Sequence, residues 1–166
     1  IFEFRGPYGN EGRATAKVDW IDKTTPRATV RYDITEKTNR DVVATLDKGD
    51  QNLTITNNNG KDTYTFTENG TFTFEFTNEL GNKGTATAKV DWIDKKVPNG
   101  RISYDITEAT NQPVVATISF DKKNVTITNN DGKDTYTFTD NKEFTFEFVD
   151  DAGNRGTATA RVTWID

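Results

Sequence analysis

The sequence predicts an all-β fold of tandem two-layer sandwiches with about seven strands each. Apolar and polar residues alternate with a period of two, which is typical of strands with one buried face. The segment 23–94 aligns without a gap on 95–166, and 44 of the 72 aligned positions are identical. Residues 1–22 match only the end of that unit. We therefore predict a partial repeat (1–22, the head, a C-terminal hairpin) followed by repeat 1 (23–94) and repeat 2 (95–166).

The alternation predicts six strands in each complete repeat. In repeat 1 they lie near 30–34, 42–46, 53–55, 64–66, 72–76 and 86–92. A rod of tandem domains needs an odd number of alternating strands, so that the chain enters at one end and leaves at the other. A seventh, weak strand is therefore predicted between Leu46 and Lys61. Asn-Gly and Asp-Gly pairs favour turns between the strands.

Three tryptophans, Trp20, Trp92 and Trp164, stand 72 residues apart. They have the same parity in the last strand as neighbouring valines, which face inward. We therefore predict that they pack in the sandwich interior and do not form a sugar-binding platform. Tyr8 is the better candidate for a surface contact, since it occupies a turn position where the other copies carry aliphatic residues.

The composition excludes several classes of function. Histidine, cysteine and methionine are absent, which removes the usual general base, a thiol nucleophile, thiolate zinc sites and disulfides. The net charge is −5 with basic residues scattered among acidic ones, so nucleic acid is not an expected partner. No signal peptide or long apolar run occurs, so we expect no membrane insertion and interpret the residues as part of a longer protein. We expect no enzymatic activity.

Three segments of repeat 2 carry a family resemblance: VVATISFDKKNVTITNNDG, YTFTDNKEFTFEFVDDAGN and GTATARVTWID. They resemble the bacterial immunoglobulin-like (Big-type) repeats of Gram-positive cell-surface and secreted proteins. The resemblance covers residues 23–166, and residues 1–22 match the tail of one such unit. It implies immunoglobulin-like β-sandwiches located outside the cell, at the cell surface or cell wall, which carry other modules and contribute no catalytic residues.

The predicted function is a structural spacer or stalk that displays an adhesive or catalytic module. Near-identical repeats favour this role, because selection for a unique binding face would make the copies diverge. Two alternatives stay open: an adhesin module that recognises a glycan or a host protein, and accessory domains of a secreted glycoside hydrolase. In every case the neighbouring repeats of the same chain are the first partners.

A calcium site at the joint between the repeats is a further prediction. Its ligands would be Asp94, Asp150, Asp151 and Asn154, because calcium binds carboxylate and amide oxygens. The alternative is a plain tight turn. The Gly-Asn pair of this turn and the glycine two residues later recur in all three copies, whereas the carboxylates do not. No other cofactor is expected.

The head has too few strands to form a stable sandwich alone. Three explanations are open at the level of the sequence. The rest of its own domain is missing, its apolar face packs on repeat 1, or a second chain donates strands in a swapped assembly. We favour the first explanation.

Overall fold

The computed structural model describes residues 2–166. Ile1, the first residue of the head, lies outside the described residues. Within the described range the chain is all-β apart from two 3-10 turns, at Asn58–Gly60 and Asn130–Gly132. The all-β prediction is confirmed. No helix in this part of the chain is long and apolar enough to cross a membrane.

Repeat 1 forms two three-stranded antiparallel sheets. One sheet has the order β3-β4-β6 and the other β5-β7-β8. The strands are β3 (Thr29–Tyr32), β4 (Val42–Asp47), β5 (Thr54–Ile55), β6 (Thr63–Phe66), β7 (Gly70–Thr77) and β8 (Lys83–Val90). The head supplies only one hairpin before them, made of β1 (Phe2–Arg5) and β2 (Glu11–Ala14).

Repeat 2 has the same two sheets, in the orders β9-β10-β12 and β11-β13-β14. Its strands are β9 (Gly100–Tyr104), β10 (Val114–Phe120), β11 (Thr126–Ile127), β12 (Thr135–Phe138), β13 (Lys142–Val149) and β14 (Arg155–Val162). Each repeat therefore has six strands in the described residues, in the order in which the alternation predicts them.

The apolar residues of the alternating pattern form a separate core in each repeat. In β4 the side chains of Val42, Ala44 and Leu46 are buried, and the intervening residues are half-buried. The core of repeat 1 joins these residues to Phe74 and Phe76 on the opposite sheet. Repeat 2 has the equivalent core around Val114, Ala116, Phe146 and Phe148. Burial of these apolar surfaces between two sheets is the main force that stabilises each sandwich.

The chain enters and leaves each sandwich at opposite ends without a seventh strand. β4 pairs antiparallel with β3 and β6, and β7 pairs antiparallel with β5 and β8. β3 and β8 run in the same direction. Pro26, before β3, lies against Gly84 at the start of β8, and the Tyr32 hydroxyl at the end of β3 accepts a hydrogen bond from the Lys89 amide near the end of β8. The short strands β5 and β6 therefore run in the same direction and together make one traverse.

The 3-10 turn Asn58–Gly60 takes the chain from one sheet to the other between β5 and β6. Asn58 and Asn59 have φ of 55° and 53°, values that asparagine adopts more readily than most residues. The seventh strand predicted between Leu46 and Lys61 is not found within the described residues. That prediction was wrong because it took every strand to span the full sandwich, whereas β5 and β6 each span part of it.

Trp92 and Trp164 pack against the cores, as predicted. Each is half-buried, and its indole N–H donates a hydrogen bond of 2.9 Å to the carbonyl of Ile34 or Ile106. Trp20 is 71% exposed, so the prediction of an inward position is wrong for this copy. The described head residues contain no second sheet that could cover it.

The apolar face of the head is open to solvent. Phe2 and Phe4 are 66% and 60% exposed, whereas their counterparts Phe74 and Phe76 in repeat 1 are buried. The face therefore does not pack on repeat 1, and that explanation for the head is wrong. Strands missing from its own domain and strands donated by a second chain both stay predictions. Light scattering separates them, since a strictly monomeric chain excludes strand donation.

Candidate functional site

The joint between the two repeats contains the predicted calcium ligands. It consists of the connecting segment 94–99, Lys122 in the loop after β10, and the turn 150–154 between β13 and β14. The turn forms because Asp150 Oδ1 accepts hydrogen bonds from the amides of Ala152, at 3.0 Å, and Asn154, at 2.8 Å. Gly153 adopts φ of +95°, which only glycine does at little cost.

The ammonium group of Lys122 lies at the centre of the joint. Its Nζ is 2.7 Å from Asp150 Oδ2 in repeat 2 and 2.8 Å from Asp94 Oδ2 at the end of repeat 1. It also donates to the carbonyl oxygen of Lys96, at 2.7 Å. A lysine has three N–H donors, and all three have acceptors here. The Asp150 side chain is fully buried, and those of Lys122 and Asp94 are 16% and 23% exposed.

Asn154 ties the turn to the connecting segment in a second way. Its Nδ2 donates to the carbonyl oxygen of Asp94, at 2.9 Å, and to Asp150 Oδ2, at 3.0 Å. The Asn154 residue is 5% exposed. The joint therefore has a buried polar centre in which each group is hydrogen-bonded, as buried polar groups must be if they are not to destabilise the fold.

A second set of contacts joins the outer rim of the two repeats. The amide of Asn39 donates to the carbonyl oxygen of Ala152, at 3.0 Å. Lys37 Nζ lies 3.1 Å from Asp151 Oδ1, and both side chains are more than a third exposed. Exposed ion pairs of this kind contribute between zero and about 1 kcal/mol. The buried centre therefore decides the stability of the joint.

The connecting segments lie close against the start of the last strand in each repeat. A Cβ at Gly156 would lie 3.0 Å from Val97 Cγ1 and 2.6 Å from the ring of Phe148. A Cβ at Gly84 would meet the carbonyl oxygen of Pro26 and lie 2.7 Å from the ring of Phe76. These two glycines leave room for the cross-strand phenylalanine ring and for the connecting segment, which both pack closely against the strand. The turn itself needs the positive φ of Gly81 and Gly153.

Hydrogen bonds determine the charge states in the joint. Burial acts to raise the pKa of the Asp150 carboxyl, but hydrogen bonds from Lys122 and Asn154 outweigh it and hold that pKa well below its ordinary value. The pKa of Asp94 is lowered by hydrogen bonds from the Lys122 side chain and the Lys96 amide. Burial acts to lower the pKa of Lys122, and the hydrogen bonds to Asp150 and Asp94 reverse this and raise it. All three groups are charged at neutral pH.

These pKa shifts predict how the stability of the joint depends on pH. Because the folded pKa of Asp150 is lowered, its stabilising effect is complete above the unfolded pKa of about 4 and is lost as the pH falls towards the folded value. Because the folded pKa of Lys122 is raised, its ammonium group stays charged and stabilises the joint through alkaline pH, and this stabilisation is lost only as the pH rises through the folded pKa of Lys122. We expect the difference in unfolding free energy between wild type and Asp150→Asn to be constant from about pH 5 to pH 9 and smaller at pH 2.

Urea denaturation at each pH measures this difference. Asparagine is the appropriate replacement because Asn78, at the equivalent position of repeat 1, accepts the same pair of turn amides at 3.0 and 2.9 Å. The substitution therefore removes the charge and keeps the turn. A difference in unfolding free energy that does not change with pH would contradict an ionic role for Asp150.

The structure brings together Asp94, Asp150 and Asn154 of the four predicted calcium ligands. Asp151 points across the joint to Lys37, and its Oδ2 also accepts a contact of 3.3 Å from Asn124. The positive charge at the centre is the ammonium of Lys122. Within residues 2–166 no group of three or more carboxylates is placed so that it could hold a metal ion.

Calcium binding at the joint stays a prediction with a direct test. A calcium ion would have to displace the Lys122 ammonium from Asp94 and Asp150. The structure therefore favours the alternative of a plain tight turn, for which calcium is expected to leave the melting temperature of chelator-treated protein unchanged. Isothermal titration at neutral pH provides the second measurement. Heat of binding together with a raised melting temperature would establish the calcium site.

Sequence reasoning missed Lys122, Lys37 and Asn39. The comparison of the two repeats contained a signal for the first of these. Repeat 2 has Lys122 and Asp150 where repeat 1 has Asp50 and Asn78. The repeat that has the lysine also has the aspartate, and the repeat without the lysine has a neutral amide in place of that aspartate. A paired change of charge between two distant positions indicates contact.

The sandwiches and the polar joint define a protein of tandem β-sandwich domains that are packed end to end. The family model of the bacterial Ig-like domain matches residues 4–95 and 78–166. The chain therefore belongs to the bacterial Ig-like domain family, which confirms the family predicted from the sequence, while a Gram-positive origin stays a prediction. The matches overlap at 78–95, so β8 of repeat 1 and the turn before it are included in both. No curated protein matches the chain.

Domains of this family are usually extracellular or surface-exposed and are typically non-catalytic. The boundaries at residues 22/23 and 94/95 stay predictions. The two cores lie within residues 28–93 and 102–165, which is compatible with a boundary at the joint.

Proposed function

We propose that repeats 1 and 2 are a semi-rigid spacer in a longer bacterial protein, located at the cell surface or in the cell wall, which displays an adhesive or catalytic module. The observation that carries the proposal is the pair of salt bridges from Lys122 to Asp94 and to Asp150, which are mostly shielded from solvent. It joins the end of one sandwich to the beginning of the next. A flexible tether would have no need of buried charge between its domains.

The path of the chain supports a role in extending the protein. Each sandwich is entered at one end and left at the other, so successive repeats add length. A strand of ten residues spans about 33 Å, and each repeat therefore adds a length on the order of one such strand. The short connecting segment 94–99, with the buried Pro98, limits the directions in which the next repeat can point.

The polar groups of the joint serve structure in this proposal and not catalysis. Within the described residues no buried polar side-chain atom is without a hydrogen-bond partner. The three donors of Lys122 are occupied, and Asp150 is held in its charged form by its neighbours. A general acid or base needs a proton that it can exchange near neutral pH. The pKa of Asp150 is lowered and that of Lys122 is raised, so both are moved away from neutral pH.

Distances between spin labels on the two repeats test the proposal. The chain has no cysteine, so Glu75→Cys and Glu147→Cys introduce two labelling sites at equivalent, exposed positions 72 residues apart. Double electron–electron resonance on this variant is expected to give one narrow distance distribution. The matched control has a Gly-Ser-Gly-Ser insertion between Lys96 and Val97 and is expected to give a broad distribution. If the labelled variant without the insertion gave a distance distribution as broad as that of the control, a spacer role would be contradicted.

A further inference from the structure

The hairpin between β6 and β7 in repeat 1 has the same aromatic packing as the hairpin between β12 and β13 in repeat 2. Tyr64 stacks on Phe72 with ring centroids 4.1 Å apart and an interplanar angle of 8°. Tyr136 stacks on Phe144 at 4.0 Å and 9°. The two tyrosine rings therefore have equivalent positions and orientations in their sandwiches.

The turns of these two hairpins are held by the same hydrogen bonds. The Asn69 side chain donates to the Ile93 carbonyl, at 3.0 Å, and accepts from the Ile93 amide, at 2.8 Å. The Asn141 side chain makes the same two bonds with Ile165, at 2.8 and 2.9 Å. The strands on both sides also begin and end at equivalent positions. The side chains that differ between the two turns are therefore carried on the same backbone frame.

Repeat 2 has a lysine on this hairpin whose ammonium group lies over the tyrosine ring. Lys142 Nζ is 5.8 Å from the centroid of the Tyr136 ring and 3.8 Å from Asp140 Oδ1. The interaction with the Tyr136 hydroxyl, and to a smaller extent the charge of Asp140, raises the pKa of Lys142 above its ordinary value. The face of an aromatic ring attracts a cation. In repeat 2 the ring and the carboxylate together accommodate an ammonium group.

Repeat 1 has the ring and the carboxylate without the lysine. Glu68 supplies the carboxylate beside Tyr64, and Gly70 takes the place of Lys142. A Cβ at Gly70 would meet nothing within 4 Å, and a cavity of about 230 Å³ lies here, lined by residues 64–71. A water molecule occupies about 30 Å³ in the liquid, so the cavity has room for an ammonium group and the methylene groups next to it.

We propose that Tyr64, Glu68 and Gly70 of repeat 1 bind the ammonium group of a lysine side chain that belongs to a partner polypeptide. We call these three residues the ammonium site. A lysine is the occupant because the side chain of Lys142 fills the equivalent place in repeat 2. The ring contacts the ammonium group and its methylene stem, and Glu68 neutralises the charge. Exposed charge pairs are weak, so the site is one contact within a larger interface.

NMR titration of the whole chain with a capped glycine-lysine-glycine peptide tests this inference. The ring signals of Tyr64 are expected to shift and to saturate as the peptide is added. Those of Tyr136 are expected to stay in place, because Lys142 already occupies that ring. The same peptide with norleucine in place of lysine is expected to cause no shift, since norleucine keeps the apolar stem and lacks the charge.

Two substitutions exchange the behaviour of the repeats. Gly70→Lys gives repeat 1 an ammonium group of its own and is expected to abolish the shift of the Tyr64 signals. Lys142→Gly opens the site in repeat 2 and is expected to make the Tyr136 signals shift. Glu68→Gln keeps the shape of the side chain and is expected to weaken binding of the lysine peptide about threefold. All three positions are exposed, and unchanged indole N–H signals of the tryptophans show that each variant is folded.

The inference is overturned if the lysine peptide causes no shift at Tyr64, or if the norleucine peptide causes an equal one. Equal shifts at Tyr64 and Tyr136 in the unsubstituted chain would also overturn it, because the signals would then report a general effect of added cations. Glucosamine is the third probe. If glucosamine shifted the Tyr64 signals and the lysine peptide did not, the occupant would be an amino sugar and the proposed lysine partner would be wrong. These outcomes leave the proposed spacer function untouched, since the spin-label distances test it separately.

Discussion

Replacement of Lys122 by methionine is expected to lower the free energy of unfolding of repeat 2 by about 2–3 kcal/mol and to broaden the distance distribution across the joint. The fully buried carboxylate of Asp150 would lose its counter-charge, and removal of one partner from a buried ion pair costs several kcal/mol. The loss is smaller than for a completely buried pair because Lys122 is 16% exposed. Methionine keeps most of the volume, so the effect reports charge and hydrogen bonding.

Urea denaturation and spin-label distances measure the two effects of Lys122→Met. The indole N–H of Trp164, which donates to Ile106, gives an NMR signal that follows repeat 2 alone. The neighbouring Lys123→Met is the matched control, since Lys123 is exposed, and we expect a change below about 0.5 kcal/mol. A loss from Lys122→Met no larger than that of the control would mean that solvent screens the pair.

The double variant Lys122→Met with Asp150→Asn is expected to recover most of the stability lost in the single variant. Both charges of the Lys122–Asp150 pair are then absent, and a neutral replacement of a buried ion pair is often close to neutral in stability. Asp94 keeps its charge, and because its side chain is 23% exposed, solvent can hydrate it. Repeat 1 already has an uncharged side chain at this place, Asn78 in the position of Asp150. The cycle of single and double variants gives the coupling energy of the pair.

The cores could be predicted from the sequence because a period of two is a local property. Val42, Ala44 and Leu46 alternate with polar residues, and any antiparallel arrangement that buries one of them buries all three. The repeat of the pattern after 72 residues then predicts a second core without further information. The position of Trp20 could not be predicted in this way, since its burial depends on a sheet that the described head residues do not contain.

The joint could be predicted only in part. Asp150 and Asn154 lie in one turn, and their proximity follows from the sequence. Lys122 is 28 residues from Asp150, and only the packing of the β10–β11 loop beside the β13–β14 turn brings them together. The carboxylates indicated a cation correctly, but they did not indicate that the chain supplies an ammonium group of its own.

Substitution of Gly84 by alanine is expected to destabilise repeat 1 by about 3 kcal/mol. The added Cβ would meet the carbonyl oxygen of Pro26, which is backbone, and the ring of Phe76 in the core at 2.7 Å. Overpacking of this kind costs roughly 1–3 kcal/mol, and the upper end applies because the connecting segment and the core would both have to move. The signal of the Trp92 indole N–H, which donates to Ile34, follows repeat 1 during urea denaturation.

Gly70→Ala is the matched control for Gly84→Ala. Gly70 is paired with Val90 in the same sheet, has no positive φ, and its added Cβ would meet nothing within 4 Å. Alanine there is expected to be neutral or to stabilise by up to about 1 kcal/mol, because it restricts the unfolded chain. If both alanines had equal effects, the segment at Pro26 would be free to move aside. The recurring glycine would then reflect local backbone preference, and the close packing of the connecting segment would not explain it.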